Sequence, residues 1–182
     1  TDLFVPNKKV TQFDKSSAHR NLSDVFGKVE ALIEDQADYS VRFSKLWLVH
    51  SVLNNVDTTK LPYLPHFDRL RFLKVMIYLT DTDEASGAFY ASKANVHDTE
   101  LVRRTLPENH KEQYLNDATN LGEFEPVLGK AGDAIIFDTN CPHFAGAVAE
   151  GHERKVARFD YTNSHWNSYW GQSMWQKLIA KR

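Results

Sequence analysis

Residues 72–80, FLKVMIYLT, restrict the possible folds of this chain more than any other segment. Their alternation and β-branched content predict a strand. One face of that strand would carry Phe72, Lys74, Met76 and Tyr78, and the other Leu73, Val75, Ile77 and Leu79. Because both faces are mostly apolar, both need to be covered. The segment is therefore predicted to be an inner strand of a β-sandwich and not an edge strand.

Several short strand patterns accompany this segment, separated by turns rich in Gly and Pro. A longer strand is predicted over 41–54, and short ones over 88–90, 124–128, 133–138, 143–149 and 154–162. Strands at such close spacing are typical of a sandwich or barrel. A double-sheet jelly roll of the cupin type, also called a double-stranded β-helix, fits this order. We predict a mainly β fold with flanking helices, in a single domain covering residues 1–182.

Helical periodicity appears in three places. It predicts a helix from about residue 21 to 39 that supports the sheet from outside, and residues 1–15 before it form a short strand or arm. A polar, helical insertion over about 97–120 is a candidate lid over a pocket. A C-terminal helix over about 166–181 is amphipathic, so it either packs on its own domain or forms a homodimer contact.

The composition excludes several classes of partner. The net charge of −2 gives no reason to expect nucleic acid or an anionic membrane. No apolar run approaches the roughly 20 residues that span a bilayer. Cys141 is the only cysteine, so there is no internal disulfide and no thiolate zinc cluster. We expect a cytoplasmic protein that acts on a small molecule.

A candidate metal site begins at His66-Phe67-Asp68. The proline before His66 favours extended backbone, in which residues two apart point to the same face. His143, which follows another strand pattern, could supply a third ligand. Two histidines and one carboxylate form the facial triad of non-heme Fe(II) oxygenases. Taken alone, however, the His-x-Asp pair is common, and an incidental surface role is the alternative.

Positive charge follows His143 in the next predicted strand. Arg154 and Arg158 have the same strand parity, so both could point inward, where a guanidinium needs an anion. The obvious anion is the distal carboxylate of 2-oxoglutarate. Arg154 should lie deeper, and Arg158, about 13 Å nearer the mouth, is the second choice. A surface salt bridge remains open for either arginine.

Two further residues are weaker candidates for the co-substrate site. Lys74, if it points inward, needs an anion such as a co-substrate or substrate carboxylate, and otherwise extends its ammonium to solvent. Asn54 could reach the co-substrate from the end of the preceding strand.

Residues 64–89 and 129–161 resemble the Fe(II)/2-oxoglutarate oxygenases, and within them the phytanoyl-CoA dioxygenase-like family. The matching features are HFD at 66–68, IYLTD at 77–81 with SGA at 86–88, KAGDAIIF at 130–137, His143, and RKVA at 154–157. The resemblance implies a double-stranded β-helix with iron ligands His66, Asp68 and His143, and Arg154 at the spacing that the family uses to bind 2-oxoglutarate. It also implies consumption of O2 and release of succinate and CO2.

The sequence departs from the family pattern beside the expected pocket. The family usually has a Pro-Gly-Ser-His element where this chain has YASKAN at 90–95, and a Gln or Trp where Leu64-Pro65 precedes the first metal histidine. Nothing here supports an acyl-CoA substrate. The intact Asp68 favours hydroxylation, because related halogenases replace this carboxylate. The alternatives are a cupin-like metalloprotein without 2-oxoglutarate turnover and a non-catalytic jelly-roll module.

Overall fold

The computed structural model describes residues 2–5, 8–13, 15–36, 40–53, 58–59, 61–68, 70–93, 99–102, 122–163 and 165–166. One long helix and nine strands lie within these ranges. The elements are β1 (Asp2–Val5), β2 (Lys8–Phe13), α1 (Lys15–Gln36), β3 (Arg42–Val52), β4 (Leu73–Tyr78), β5 (Phe89–Ser92), β6 (Phe124–Val127), β7 (Ala134–Asp138), β8 (His143–Ala145) and β9 (Glu153–Thr162).

The strands form two antiparallel sheets. The larger has the order β1-β2-β3-β9-β4-β7, and the smaller has the order β6-β5-β8. The predicted jelly roll is confirmed. Strand β4 lies between β9 and β7, so it is an inner strand, as predicted from its two apolar faces.

Helix α1 covers the outer face of the large sheet. Phe26, Val29 and Ile33 of the helix are buried against side chains from β3, β4 and β9. The Phe26 ring makes edge-to-face contacts with Phe43 at 4.8 Å and Phe159 at 5.2 Å between centroids. The predicted support of the sheet by this helix is confirmed, and it leaves the other face of β4 and β9 free to meet the small sheet.

A bulge in β3 divides its side chains between these two layers. The pairing with β9 shifts between Phe43 and Lys45. In a regular strand Phe43 would share a face with Trp47 and Val49. The bulge instead turns Phe43 toward the helix with Leu46, while Trp47 and Val49 line the interior between the sheets.

The structure differs from the sequence prediction near the N-terminus and after β8. Helix α1 begins at Lys15, and the predicted start near residue 21 coincides with non-helical backbone angles at Leu22 (φ −133°, ψ 24°). The predicted short strand or arm is a hairpin of β1 and β2 that extends the large sheet. The strand predicted to end at residue 149 ends at Ala145.

Two predicted segments lie mainly outside the described residues. Of the insertion at 97–120, only residues 99–102 are described, and they are helical. Of the C-terminal helix at 166–181, only Trp166 is described, in a turn. Within the described ranges, no helix is long and apolar enough to cross a membrane.

The contact between helix and sheet generates a stability prediction. Phe26→Ala removes a fully buried ring and should lower the free energy of unfolding by about 3–5 kcal/mol. Leu128, with 54% of its surface exposed, is the control, and Leu128→Ala should cost less than about 1 kcal/mol. Urea unfolding followed by circular dichroism measures both values. Equal losses in the two variants would contradict the assigned packing of α1.

Candidate active site

A pair of backbone hydrogen bonds joins His66 to His143. The His66 N–H donates to the His143 carbonyl at 3.0 Å, and the His143 N–H donates to the His66 carbonyl at 2.7 Å. Residues directly opposite in an antiparallel pair project their side chains to the same side. The two imidazoles accordingly lie together, with their ring centroids 4.5 Å apart.

Asp68 is brought to the same place by the extended backbone after His66. Its Oδ1 lies 3.9 Å from His66 Nε2 and 3.8 Å from His143 Nε2. One donor atom from each of the three residues lies within 4.8 Å of the others. A metal ion with bonds of about 2.1 Å could contact all three after small side-chain adjustments.

The histidine rings are oriented by their own backbone. His66 Nδ1 lies 2.7 Å from the Leu64 carbonyl, and His143 Nδ1 lies 2.8 Å from the Cys141 carbonyl. Because a carbonyl only accepts hydrogen bonds, each Nδ1 carries the proton and each Nε2 keeps a lone pair for a metal. Burial lowers the pKa of His143 to about 3, so its ring is neutral at pH 7. Two neutral imidazoles and a carboxylate fit non-heme iron.

Lys74 reaches the other oxygen of the aspartate. Its ammonium contacts Asp68 Oδ2, and the lysine side chain is 7% exposed. Burial alone would raise the pKa of Asp68, but Lys74 and the adjacent histidines outweigh it and hold that pKa well below its usual range. Lys74 therefore points inward, and the anion that it meets in this structure is Asp68.

These residues line a cavity of about 500 Å³ between the sheets. Arg154 lies in its wall and is 6% exposed. Its Nη1 donates to the Gly87 carbonyl, while its buried Nε has no hydrogen-bond partner in the described part of the chain. Burial lowers the pKa of Arg154. A buried guanidinium without an acid partner among the described residues is suited to pairing with an anion.

Both the backbone angle and the lack of room for a side chain require glycine at position 87. Its φ is +79°, and a Cβ there would lie 2.6 Å from the Gly146 carbonyl oxygen. Only glycine combines that conformation with so close an approach of the two strand connections. The Gly87 carbonyl can thus reach the Arg154 guanidinium.

Arg158 also lines the cavity, but its charge is paired. Its Nε and Nη2 donate to the Asp160 carboxylate at 2.8 and 3.1 Å. Its guanidinium lies 5.1 Å from the centre of the Trp47 ring. The geometry thus favours Arg154 over Arg158 as the free guanidinium. Asn54 lies outside the described residues.

Lys45, Trp47 and Asp160 all line the cavity, but they were not placed there by sequence analysis. The parity that grouped Arg154 and Arg158 extends to Asp160, so this residue could have been found. Lys45 and Trp47 depend on the bulge in β3, for which the sequence contains no clear signal.

Solved structures of several enzymes share this fold at low sequence identity. HygX from Streptomyces hygroscopicus, solved with nickel, 2-oxoglutarate and hygromycin B bound, is 11% identical with a TM-score of 0.61, over 88% of this chain and 71% of HygX. The epimerase SnoN, solved with Fe3+, alpha ketoglutarate and nogalamycin RO, is 19% identical with a TM-score of 0.65, over 87% of this chain and 64% of SnoN. The carbocyclase SnoK from nogalamycin biosynthesis is 16% identical with a TM-score of 0.56, over 87% and 64%.

No individual curated protein matches the sequence. Residues 17–156, more than half of the chain, match the family described as phytanoyl-CoA dioxygenase (PhyH), and the chain therefore belongs to the phytanoyl-CoA dioxygenase family.

Proposed function

We propose that this chain is a dioxygenase that depends on Fe(II) and 2-oxoglutarate, with iron bound by His66, Asp68 and His143. One observation carries the proposal. A single cavity contains three donors oriented for a metal and a buried guanidinium, Arg154, that has no acid partner among the described residues. HygX and SnoN were solved with a transition metal and 2-oxoglutarate bound, which supports the same pair of cofactors here.

Each residue has a defined part in this proposal. The two histidines and Asp68 occupy one face of the ion and leave its opposite positions open. Arg154 binds the distal carboxylate of 2-oxoglutarate, which supplies the acceptor that its Nε lacks. When bound, iron, 2-oxoglutarate and O2 together supply an oxidant for a substrate C–H bond, with release of succinate and CO2. The protein orients these groups and shields them from solvent.

The reaction that we propose is hydroxylation of a small molecule. Related halogenases have a small residue in place of this carboxylate and bind chloride there, whereas this chain has Asp68, which favours hydroxylation. The cavity of about 500 Å³ is within the range of small-molecule sites. Because SnoN is an epimerase and SnoK a carbocyclase, product analysis has to accompany any turnover assay. A product that gains one oxygen atom from O2 supports hydroxylation, and an isomerised or cyclised product without added oxygen contradicts it.

Turnover of 2-oxoglutarate without added substrate is the first test. The purified protein should form succinate in a reaction that requires Fe(II), and His143→Ala should abolish it because one of three ligands is lost. Anaerobic titration with Ni(II) should show binding at a single site. Metal binding without 2-oxoglutarate turnover would indicate a cupin-like metalloprotein, and no metal affinity would indicate a non-catalytic module.

Arg154 provides the second test. Arg154→Met removes the proposed partner of the distal carboxylate and should raise the KM for 2-oxoglutarate by about 10- to 100-fold. Arg42→Met changes an exposed arginine of the same sheet and is the control. Arg158→Met should raise that KM less, since Asp160 already pairs with Arg158. A larger effect in Arg158→Met than in Arg154→Met would contradict the assignment.

Lys74 provides the third test. Lys74→Met leaves the Asp68 carboxylate without its counter-charge and should lower the stability of the metal-free protein by about 3 kcal/mol. Ni(II) should then stabilise the variant more than the wild type, because the ion replaces the counter-charge that Asp68 has lost. Thermal unfolding with and without Ni(II) measures both effects.

Lys130→Met is the matched control for this test. Lys130 also pairs with an aspartate, Asp81, but its side chain is 80% exposed and lies outside the cavity. If Ni(II) stabilised Lys74→Met and Lys130→Met equally, the proposed role of Lys74 as the counter-charge of Asp68 would be wrong.

A further inference from the structure

The charges that line the cavity are unequal. Its described wall contains four lysine and arginine side chains, Lys45, Lys74, Arg154 and Arg158, and two carboxylates, Asp68 and Asp160. The balance of these six side chains is two positive charges, 4 − 2. Fe(II) and the dianion of 2-oxoglutarate, if bound as proposed, cancel each other. The excess of positive charge would therefore face the substrate.

Three of the four basic residues have a partner or a proposed ligand, and Lys45 is the fourth. Lys74 contacts Asp68, and Arg158 pairs with Asp160. Arg154 is assigned to the co-substrate. The partly buried Lys45 has no carboxylate contact within the part of the chain that the structure describes, and its ammonium lies 5.8 Å from the centre of the Trp47 ring.

The carboxylate opposite Lys45 already accepts hydrogen bonds from other side chains. Asp160 is the cross-strand partner of Lys45 in β9. Its Oδ2 accepts the Trp47 indole N–H at 2.7 Å, and both of its oxygens accept from Arg158. Asp160 is thereby turned toward Arg158 and Trp47. Among the described residues, Lys45 then contacts the face of the Trp47 ring and no carboxylate.

Lys45 lies within a small molecule's length of the metal-binding residues. Asp160 pairs with Lys45 on one side and with Lys74 on the other, so the three residues form a row across β3, β9 and β4. At about 4.8 Å between strands, the Cα atoms of Lys45 and Lys74 lie roughly 10 Å apart. Lys74 contacts the carboxylate of Asp68. Phe72 and Met76, two residues before and two residues after Lys74 in the chain, make this part of the wall apolar.

We propose that Lys45 and Trp47 form the subsite for the anionic group of the substrate, which is a small organic acid with an apolar body. This inference rests on the proposed function. The Lys45 ammonium pairs with the substrate carboxylate or phosphate, and the Trp47 ring, which contacts both Lys45 and Arg158, borders this subsite. The apolar body extends along Phe72 and Met76 toward the metal site, which selects a C–H bond a few carbon atoms from the acid.

Binding of matched probes to the loaded protein tests the subsite. The protein is loaded with Ni(II) and saturating 2-oxoglutarate, because the nickel complex does not turn over. It is then titrated calorimetrically with 3-phenylpropionate, phenyl phosphate and the uncharged 3-phenylpropanamide. At least one acid should bind about tenfold more tightly than the amide. An acid Kd that is unchanged at a higher 2-oxoglutarate concentration shows that the acid does not occupy the Arg154 site.

Variants at Lys45 assign the charge. Lys45→Met should weaken acid binding by about tenfold and leave amide binding unchanged, and Lys45→Arg should retain most of the acid affinity. Lys155→Met is the control, because Lys155 lies in the same sheet, pairs with Glu153 and does not line the cavity. Thermal unfolding confirms that each variant is folded. A stronger effect on the carboxylate than on the phosphate probe, or the reverse, identifies the kind of acid.

The outcomes separate this inference from the proposed function. If Ni(II) or 2-oxoglutarate fails to bind, the proposed function is wrong. If both bind but no acid binds more tightly than the amide, or if Lys45→Met binds acids as well as the wild type does, only the organic-acid subsite is wrong.

Discussion

The two reciprocal hydrogen bonds between His66 and His143 hold the candidate active site together. They join the segment before β4 to the first residue of β8, in the other sheet, and so fix two imidazoles side by side. Because side chains alternate along a strand, a shift of the pairing by one residue would turn one ring away from the other. Asp68 follows from the same geometry, since it lies two residues after His66 in extended backbone.

The large sheet supports this arrangement by separating its two faces. In β9, Phe159 and Tyr161 pack under α1, while the alternate residues Arg158 and Asp160 face the cavity. Close packing on the helix side keeps the strands in register, and the charged side chains on the other face are held where solvent reaches them poorly. Charges in such a place need partners. Arg154 and Lys45, which have no carboxylate partner among the described residues, are therefore the most informative about ligands.

Much of this arrangement was predictable from the sequence, because it depends on local patterns. The alternation in residues 72–80 predicted the inner strand β4, and the parity of the β9 residues predicted that Arg154 and Arg158 share a face. The start of α1 was missed because residues 15–21, KSSAHRN, are mostly polar and show no apolar period. Side-chain hydrogen bonds between strands could not be predicted, since Asp160 accepts the Trp47 indole N–H only if β3 and β9 are neighbours and β3 contains its bulge.

If Asp68 binds iron as proposed, its contact with Lys74 would influence how the carboxylate coordinates the ion. Lys74 occupies Oδ2 and leaves Oδ1 facing both histidines. Coordination through a single Asp68 oxygen would leave more of the proposed iron open to 2-oxoglutarate and O2 than coordination through both oxygens. In the proposed reaction, the lysine favours the single-oxygen mode and thereby preserves the position that O2 requires.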